Sequence, residues 1–172
     1  MRIHLLSLLA AVLVVAALAG CIPRGEAVEI KSFPLDSADE IGALQGVTFD
    51  KDVSADGKGS WKIVTDKPTV VTIAETGDID VEDARIIYRA KVRTKDFDGQ
   101  VFIEMWCSFA GKGEFFSKGL QSVLSGTTDW TTMETPFFLK KGENPDNVRL
   151  NLVLNGKGTA WIDDVKVLKG AL

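Results

Sequence analysis

The chain has 172 residues, 45% hydrophobic and 26% charged, with a formal net charge of -4 from 20 basic and 24 acidic side chains. That composition suits one globular domain and offers no excess of positive charge, which disfavours disorder, a second catalytic domain and a nucleic-acid partner. The only histidine is His4 and the only cysteines are Cys21 and Cys107, so once an export segment is removed no histidine is left for a catalytic triad, a His-bearing zinc site or a His-ligated haem.

In chain order, Arg2 opens a short positive start, and Leu5 to Ala19 is apolar apart from Ser7. This is the pattern of a secretory signal, shorter than the ~20 residues of a comfortable transmembrane span. It ends on Leu18-Ala19-Gly20-Cys21, which resembles the lipobox of bacterial lipoproteins. The resemblance implies cleavage after residue 20, fatty acylation (palmitate among the chains) at Cys21, and a mature protein held on the membrane of the cell envelope. A plain signal peptide cut near Ala19 is the alternative. Ile22, in the place where Asp favours inner-membrane retention in some bacteria, favours the outer membrane. Residues 21–28, with Pro23 and Gly25, lack periodicity and read as a tether, leaving 29–172 for the domain.

From Glu29 onward apolar residues recur with period two, the signature of strands. Ile86, Tyr88, Ala90 and Val92 share one face of the first clear strand. Val101, Ile103, Met105, Cys107 and Phe109 alternate with Phe102, Glu104, Trp106 and Ser108 in the second, and Val148, Leu150, Leu152 and Leu154 with Arg149, Asn151 and Val153 in the third. Residues 60–63, 69–74, 131–139 and 159–168 are further candidates, and only 115–124 has room for a helical turn. Gly-Lys-Gly occurs at 57–59, 111–113 and 156–158. A phosphate loop needs Gly-Lys followed by Ser or Thr and a helix, so these are read as turns in which glycine supplies positive φ. The expected fold class is all-β, an antiparallel sandwich.

Few residues remain to carry chemistry. Asp78, Asp80, Glu82 and Asp83 fail the calcium-loop pattern, because Asp83 stands where Gly is needed and Arg89 where Glu is needed. With Ile79 and Val81 between them they read as an edge strand with a solvated acidic side. Asp163 and Asp164 are neighbours, so on a regular strand they point to opposite faces, and the inward one needs N–H donors or a cation. Cys107 has apolar parity and reads as an inert buried thiol. Trp61, Trp130 and Trp161 read as packing. Trp106 lies on the polar parity with Glu104, while Arg89, Lys91 and Asn151 hold the corresponding parity of neighbouring strands. An aromatic plane among such groups suits a sugar ring. The alternative is that a loop covers Trp106.

Three segments occur in a set order: Asp56-Gly57-Lys58-Gly59-Ser60-Trp61-Lys62-Ile63, Thr128-Asp129-Trp130, and Gly158-Thr159-Ala160-Trp161-Ile162-Asp163-Asp164-Val165-Lys166-Val167. Together they resemble the jelly-roll modules of the galactose-binding-like superfamily, particularly carbohydrate-binding modules of families four and nine. The resemblance spans about residues 30–169 and implies a two-sheet jelly roll. It also implies a structural calcium ion held by Asp163 or Asp164 with oxygens near Lys58 to Ser60 and an unspecified N-terminal acid. The expectation is a non-catalytic envelope domain that binds a glycan through Trp106, Glu104, Arg89, Lys91 and Asn151. The rival expectation is an envelope protein-interaction domain on the same scaffold.

Overall fold

The computed structural model describes residues 25–42 and 44–172. The signal peptide and Cys21 lie outside them. Eight antiparallel strands follow one another: β1 (Val28–Phe33), β2 (Val47–Asp50), β3 (Ser60–Thr65), β4 (Thr69–Thr76), β5 (Ala84–Phe109), β6 (Gly113–Lys118), β7 (Leu124–Leu139) and β8 (Asn147–Gly170). Residues Leu120–Ser122 form a single 3-10 turn, in the one place where the sequence left room for a helical turn. Among the described residues no helix is long and apolar enough to cross a membrane.

The two long strands organise everything else. β5 and β8 pair along their whole lengths, from Arg85 opposite Gly170 to Ser108 opposite Asn147. Midway they turn a corner, where the register slips between Lys95 and Asp98 and where Asp96, Gly99 and Gly158 have φ of 50°, 133° and 141°. The backbones approach so closely here that a Cβ on Gly156 would lie 2.1 Å from the Asp98 carbonyl oxygen. Only glycine fits, and bulges of this kind bend strands from one layer of a sandwich into the other. The third Gly-Lys-Gly is therefore a corner inside a strand rather than a turn beside one, and its Gly158 does supply the expected positive φ. The other two lie in the connections before β3 and between β5 and β6.

The corner divides the molecule into two layers around one core. In the first layer, β7 and the first half of β5 pair with each other, and the second half of β8 follows. The far edge of that half-strand is shared by β3, along 158–162, and β1, along 165–169, with β2 outside β3. In the second layer the order is β4, first half of β8, second half of β5, β6. Alternation does the rest. Ile86, Tyr88, Val92, Ile103, Met105, Leu150, Leu152 and Ile162 are all fully buried in the core, as their parity predicts. Cys107 is buried among them, and burial pushes its thiol up to about 12.

One expected strand is absent. Residues 77–83 form an irregular connection in which Asp78, Asp80 and Asp83 take φ near 50°. Short carboxylate side chains tolerate that left-handed region, and three such residues so close together break the extended chain. Ile79 and Val81 still turn inward and are buried.

Candidate functional site

The outer face of the second layer carries aligned cross-strand rows. Because Ile103, Met105, Leu150 and Leu152 face the core, Glu104, Trp106, Arg149 and Asn151 face outward. Register then sets Thr72, Asn151, Glu104 and Lys118 side by side across four strands, and Glu75, Arg149, Trp106 and Phe116 in the next row. Glu104 is 6% exposed, so its charge needs partners. One carboxylate oxygen accepts from Trp106 Nε1 at 2.5 Å and Asn151 Nδ2 at 3.3 Å, and the other lies 3.3 Å from Lys118 Nζ. Thr72 donates to Asn151 Oδ1 at 3.0 Å and completes the chain.

Trp106 is thus held at its N–H edge. The Arg149 guanidinium lies 5.7 Å from its ring centre on one side and the Phe116 ring 5.0 Å away on the other. The ring stays half-buried, and Phe116 is 53% exposed. The segment 111–124 therefore reaches Trp106 through one side chain without closing over it. Beside these rows Val70 and Val153 continue the surface as an apolar strip, since Val153 pairs with both Val70 and Phe102. An aromatic pair next to an arginine and a buried acid–amide–lysine chain is a surface able to stack a flat apolar face while bonding polar groups at its margin.

Of the five residues expected to share a ligand, Glu104, Trp106 and Asn151 come together and Arg89 and Lys91 do not. Those two stand on the first half of β5, in the other layer, where Arg89 pairs with Glu134 of β7 at 2.5 Å. Parity identifies an outward side chain but says nothing of which layer it leaves, and the corner lies between residue 91 and residue 104. Sequence reasoning missed Phe116, Lys118 and Thr72. For Phe116 and Lys118 the alternation in β6 was the only signal, in a segment of six residues, whereas Thr72 stands within the expected strand 69–74.

A second cluster lies where the coil after β1 and the turn before β3 meet β8. Asp163 is fully buried, while Asp164 takes φ of 48° at a bulge and pairs with Lys166 Nζ at 3.1 Å. Asp163 accepts from Ala55 N at 2.7 Å and from Asp164 N at 2.8 Å. Its carboxylate, with those of Asp36 and Asp56, presents oxygens that all lie within 4.8 Å of one another. Burial raises the pKa of Asp163, the two N–H donors lower it, and the neighbouring charges of Asp56 and Asp36 raise it further. Lys58 Nζ bridges Asp56 at 3.1 Å and Asp36 at 3.4 Å, and its hydrogen bonding is the main cause that lowers the Asp56 pKa. One Asp36 oxygen is buried with no partner among the described residues. Three carboxylates and one exposed ammonium leave this pocket short of positive charge, and an all-oxygen donor set with an orphaned oxygen fits a hard cation such as calcium.

No protein-family model and no curated protein matches the sequence. Solved structures do match the fold. The CBM22-1–GH10 modules of Clostridium thermocellum endo-1,4-beta-D-xylanase 10B, complexed with xylohexaose, give a TM-score of 0.62 at 10% identity, covering 83% of this chain and 28% of that one. The CBM22-1 xylan-binding domain of Paenibacillus barcinonensis Xyn10C gives 0.59 at 9% identity, covering 85% of this chain and 97% of that one. A family 16 carbohydrate-binding module gives 0.52 at 12% identity over 74% and 87%. The fold is the jelly roll of carbohydrate-binding modules. These neighbours are of families 22 and 16, whereas the sequence resemblance is to families four and nine, and what they establish is the shared architecture.

Proposed function

We propose that the chain is a non-catalytic glycan-binding domain, exported and held on the cell envelope through acylated Cys21. The observation that carries the glycan reading is the half-exposed Trp106–Phe116 pair flanked by Arg149 and by the Glu104–Asn151–Lys118 chain. The Trp106 ring offers an apolar face for a sugar's C–H face, the Phe116 ring 5.0 Å away and tilted by 45° walls it on one side, and the charged margin offers partners for its hydroxyls. Jelly-roll neighbours named as xylan-binding support the same reading for the scaffold. A glycan array probed with the full chain, followed by titration of the best oligosaccharide while tryptophan fluorescence is recorded, tests it. Binding that quenches or shifts the emission and disappears in Trp106→Ala is the expected result. An array with no hits removes the reading.

One observation favours the rival, an envelope protein-interaction domain. The polar groups of Glu104, Asn151 and Thr72 already satisfy one another, leaving an apolar surface made of the exposed Phe116 and Val70 with the half-buried Val153 beside Val70. A partner protein retained by the wild-type chain, lost in Phe116→Ala, and accompanied by an empty array would select it.

We assign the calcium expected from the resemblance to Asp36, Asp56 and Asp163. Asp164 has no part in it, since it is engaged by Lys166. When bound, the ion would neutralise the buried carboxylates and tie the coil after β1 and the turn before β3 to the last strand. A ligand that binds only the folded state stabilises it by mass action, by about 2.7 kcal/mol at a hundredfold excess over Kd. Calcium should therefore raise Tm in the wild type and not in Asp163→Asn, and an unchanged Tm with calcium would remove the site.

A further inference from the structure

The two ends of the sandwich differ in what they expose. Since β5 and β8 turn back at the 96–99 corner, both ends of each strand meet at the opposite end of the molecule, together with the start of β1, the end of β7 and the β5–β6 hairpin. Phe138 is 60% exposed and Phe115 48%, and both line a recess of about 160 Å³ with Phe109 and Phe137. Val28 and Leu172 are exposed at the same end. Exposed phenylalanines in a cluster mark a surface that meets something apolar.

The charges around this patch are of both signs but differ in what holds them. Glu143 accepts from the Lys140 N–H at 2.9 Å, Glu82 from the Gly142 N–H and Asp146 from the Ala110 N–H, bonds that fix these carboxylates against the backbone and leave their charge in place. Lys112, Lys140 and Lys141 are exposed and, among the described residues, none is in an ion pair. Exposed phenylalanines with unpaired, mobile lysine ammoniums at their margin suit a bilayer surface, whose acyl region takes the rings and whose phosphates take the ammoniums.

The tether enters at this end, because Val28 pairs with Lys169 beside the close of β8. From Cys21 to Val28 the chain can reach at most ~25 Å fully extended. The half of β5 from its start to the corner is ~40 Å long at the usual strand rise. An anchor at Cys21 thus keeps the phenylalanine end close to the lipid and the corner end away from it, and tethering raises the effective concentration enough for a weak apolar contact to persist.

We infer that the Phe115–Phe138 end is a membrane-docking surface that seats on the bilayer carrying the acyl anchor, and so points the corner end away from it, with the Trp106–Phe116 platform on the flank nearer the lipid, since Phe116 adjoins Phe115 and shares a recess with Phe137 and Phe138. This rests on the acylation of Cys21. The test uses full-length chain reconstituted in vesicles of phosphatidylethanolamine and phosphatidylglycerol, with an environment-sensitive fluorophore on Phe138→Cys or, as control, Val64→Cys near the corner. Cys107 is buried and will not label. The expected result is blue-shifted emission and several-fold stronger quenching by spin-labelled lipid at position 138 than at position 64. A chain that floats with the vesicles but is quenched equally at both positions overturns the docking and leaves the anchor standing. A chain that does not float, with Cys21 unmodified by mass spectrometry, overturns both. Emission at position 138 that shifts with protein concentration and ignores the spin label assigns the patch to a second copy of the chain, and also overturns the docking.

Discussion

Trp161 and Trp106 are built from nearly the same parts. Each lies on the outer face of a long central strand, gives its indole N–H to a carboxylate and has a cation over its ring. Trp161 donates to Asp50 at 2.9 Å, between Lys62 at 5.5 Å and Arg93 at 5.8 Å. Trp106 donates to Glu104 at 2.5 Å, beside Arg149 at 5.7 Å. Yet Trp161 is 6% exposed and Trp106 is half-exposed. The difference is in the second neighbour. Both strands flanking Trp161 present long cationic side chains directly opposite it, and β2 adds Asp50 beyond Lys62. On one side Trp106 has only β6, an edge strand whose opposite residue is the short, exposed Phe116. Snorkelling stems cover an aromatic face; an edge phenylalanine extends it.

The largest expected effect separates the two as structure and surface. Trp161→Ala removes a packed ring and leaves Asp50 without its donor, which should cost ~3–5 kcal/mol. At ~2–4 °C per kcal/mol for a domain of this size, the fall in Tm is on the order of 10 °C. Thermal melts by circular dichroism measure it, and a fall under 3 °C would mean that Trp161 is as dispensable as a surface ring. Trp106→Ala should leave a folded protein with a smaller loss of Tm, but should weaken ligand binding by ~1–3 kcal/mol, about five- to 150-fold. Unfolding of this variant would break the comparison and the platform together.

Much of this was legible in the sequence. Period-two alternation found the core because burial of one face forces it, and every named core residue is inside. The same alternation marked Trp106, Glu104 and Asn151 as outward. It could not tell that Arg89 and Lys91 leave by the other layer, since a bulge at 96–99 resets parity and the corner decides the side. Asp163 was legible as the inward carboxylate or its neighbour. Asp36 and Asp56 were not, because both come from coil with no period, and only the pairing of β1 and β3 with β8 brings them to it.

A third aromatic with a polar tip sharpens the point that both indoles are satisfied. Tyr88 is fully buried in the core, and its hydroxyl finds no partner among the described residues. Burial alone raises its pKa. An unpaired buried hydroxyl is a cost, so Tyr88→Phe should stabilise the domain by ~1 kcal/mol, a few degrees in Tm. A loss of stability of that size would show that the hydroxyl has a partner, such as an ordered water.

The smallest effect is electrostatic and differs in sign between the two acidic sites of the first layer. The Trp161 N–H is the chief cause that holds the Asp50 carboxyl below its ordinary value of 3.8, helped by the backbone N–H groups of Asp52 and Val53 and by Lys62. A depressed folded-state pKa means that the unfolded chain takes up the proton first as pH falls. The contribution of Asp50 is therefore whole above 3.8 and disappears below it, through the folded-state value. Asp163 is shifted the other way by burial, so its ionisation costs stability, and that cost is relieved as pH falls through its raised pKa. In calcium-free buffer, denaturant midpoints from neutral pH to below 3.8 should show Asp50→Asn converging on the wild type at the acid end. Asp163→Asn should gain most over the wild type at neutral pH, provided that the amide keeps the Ala55 and Asp164 donors through its oxygen. Parallel curves for Asp50→Asn would mean that the Trp161 hydrogen bond is indifferent to charge, and the pairing of each indole with a carboxylate would then lose its electrostatic basis.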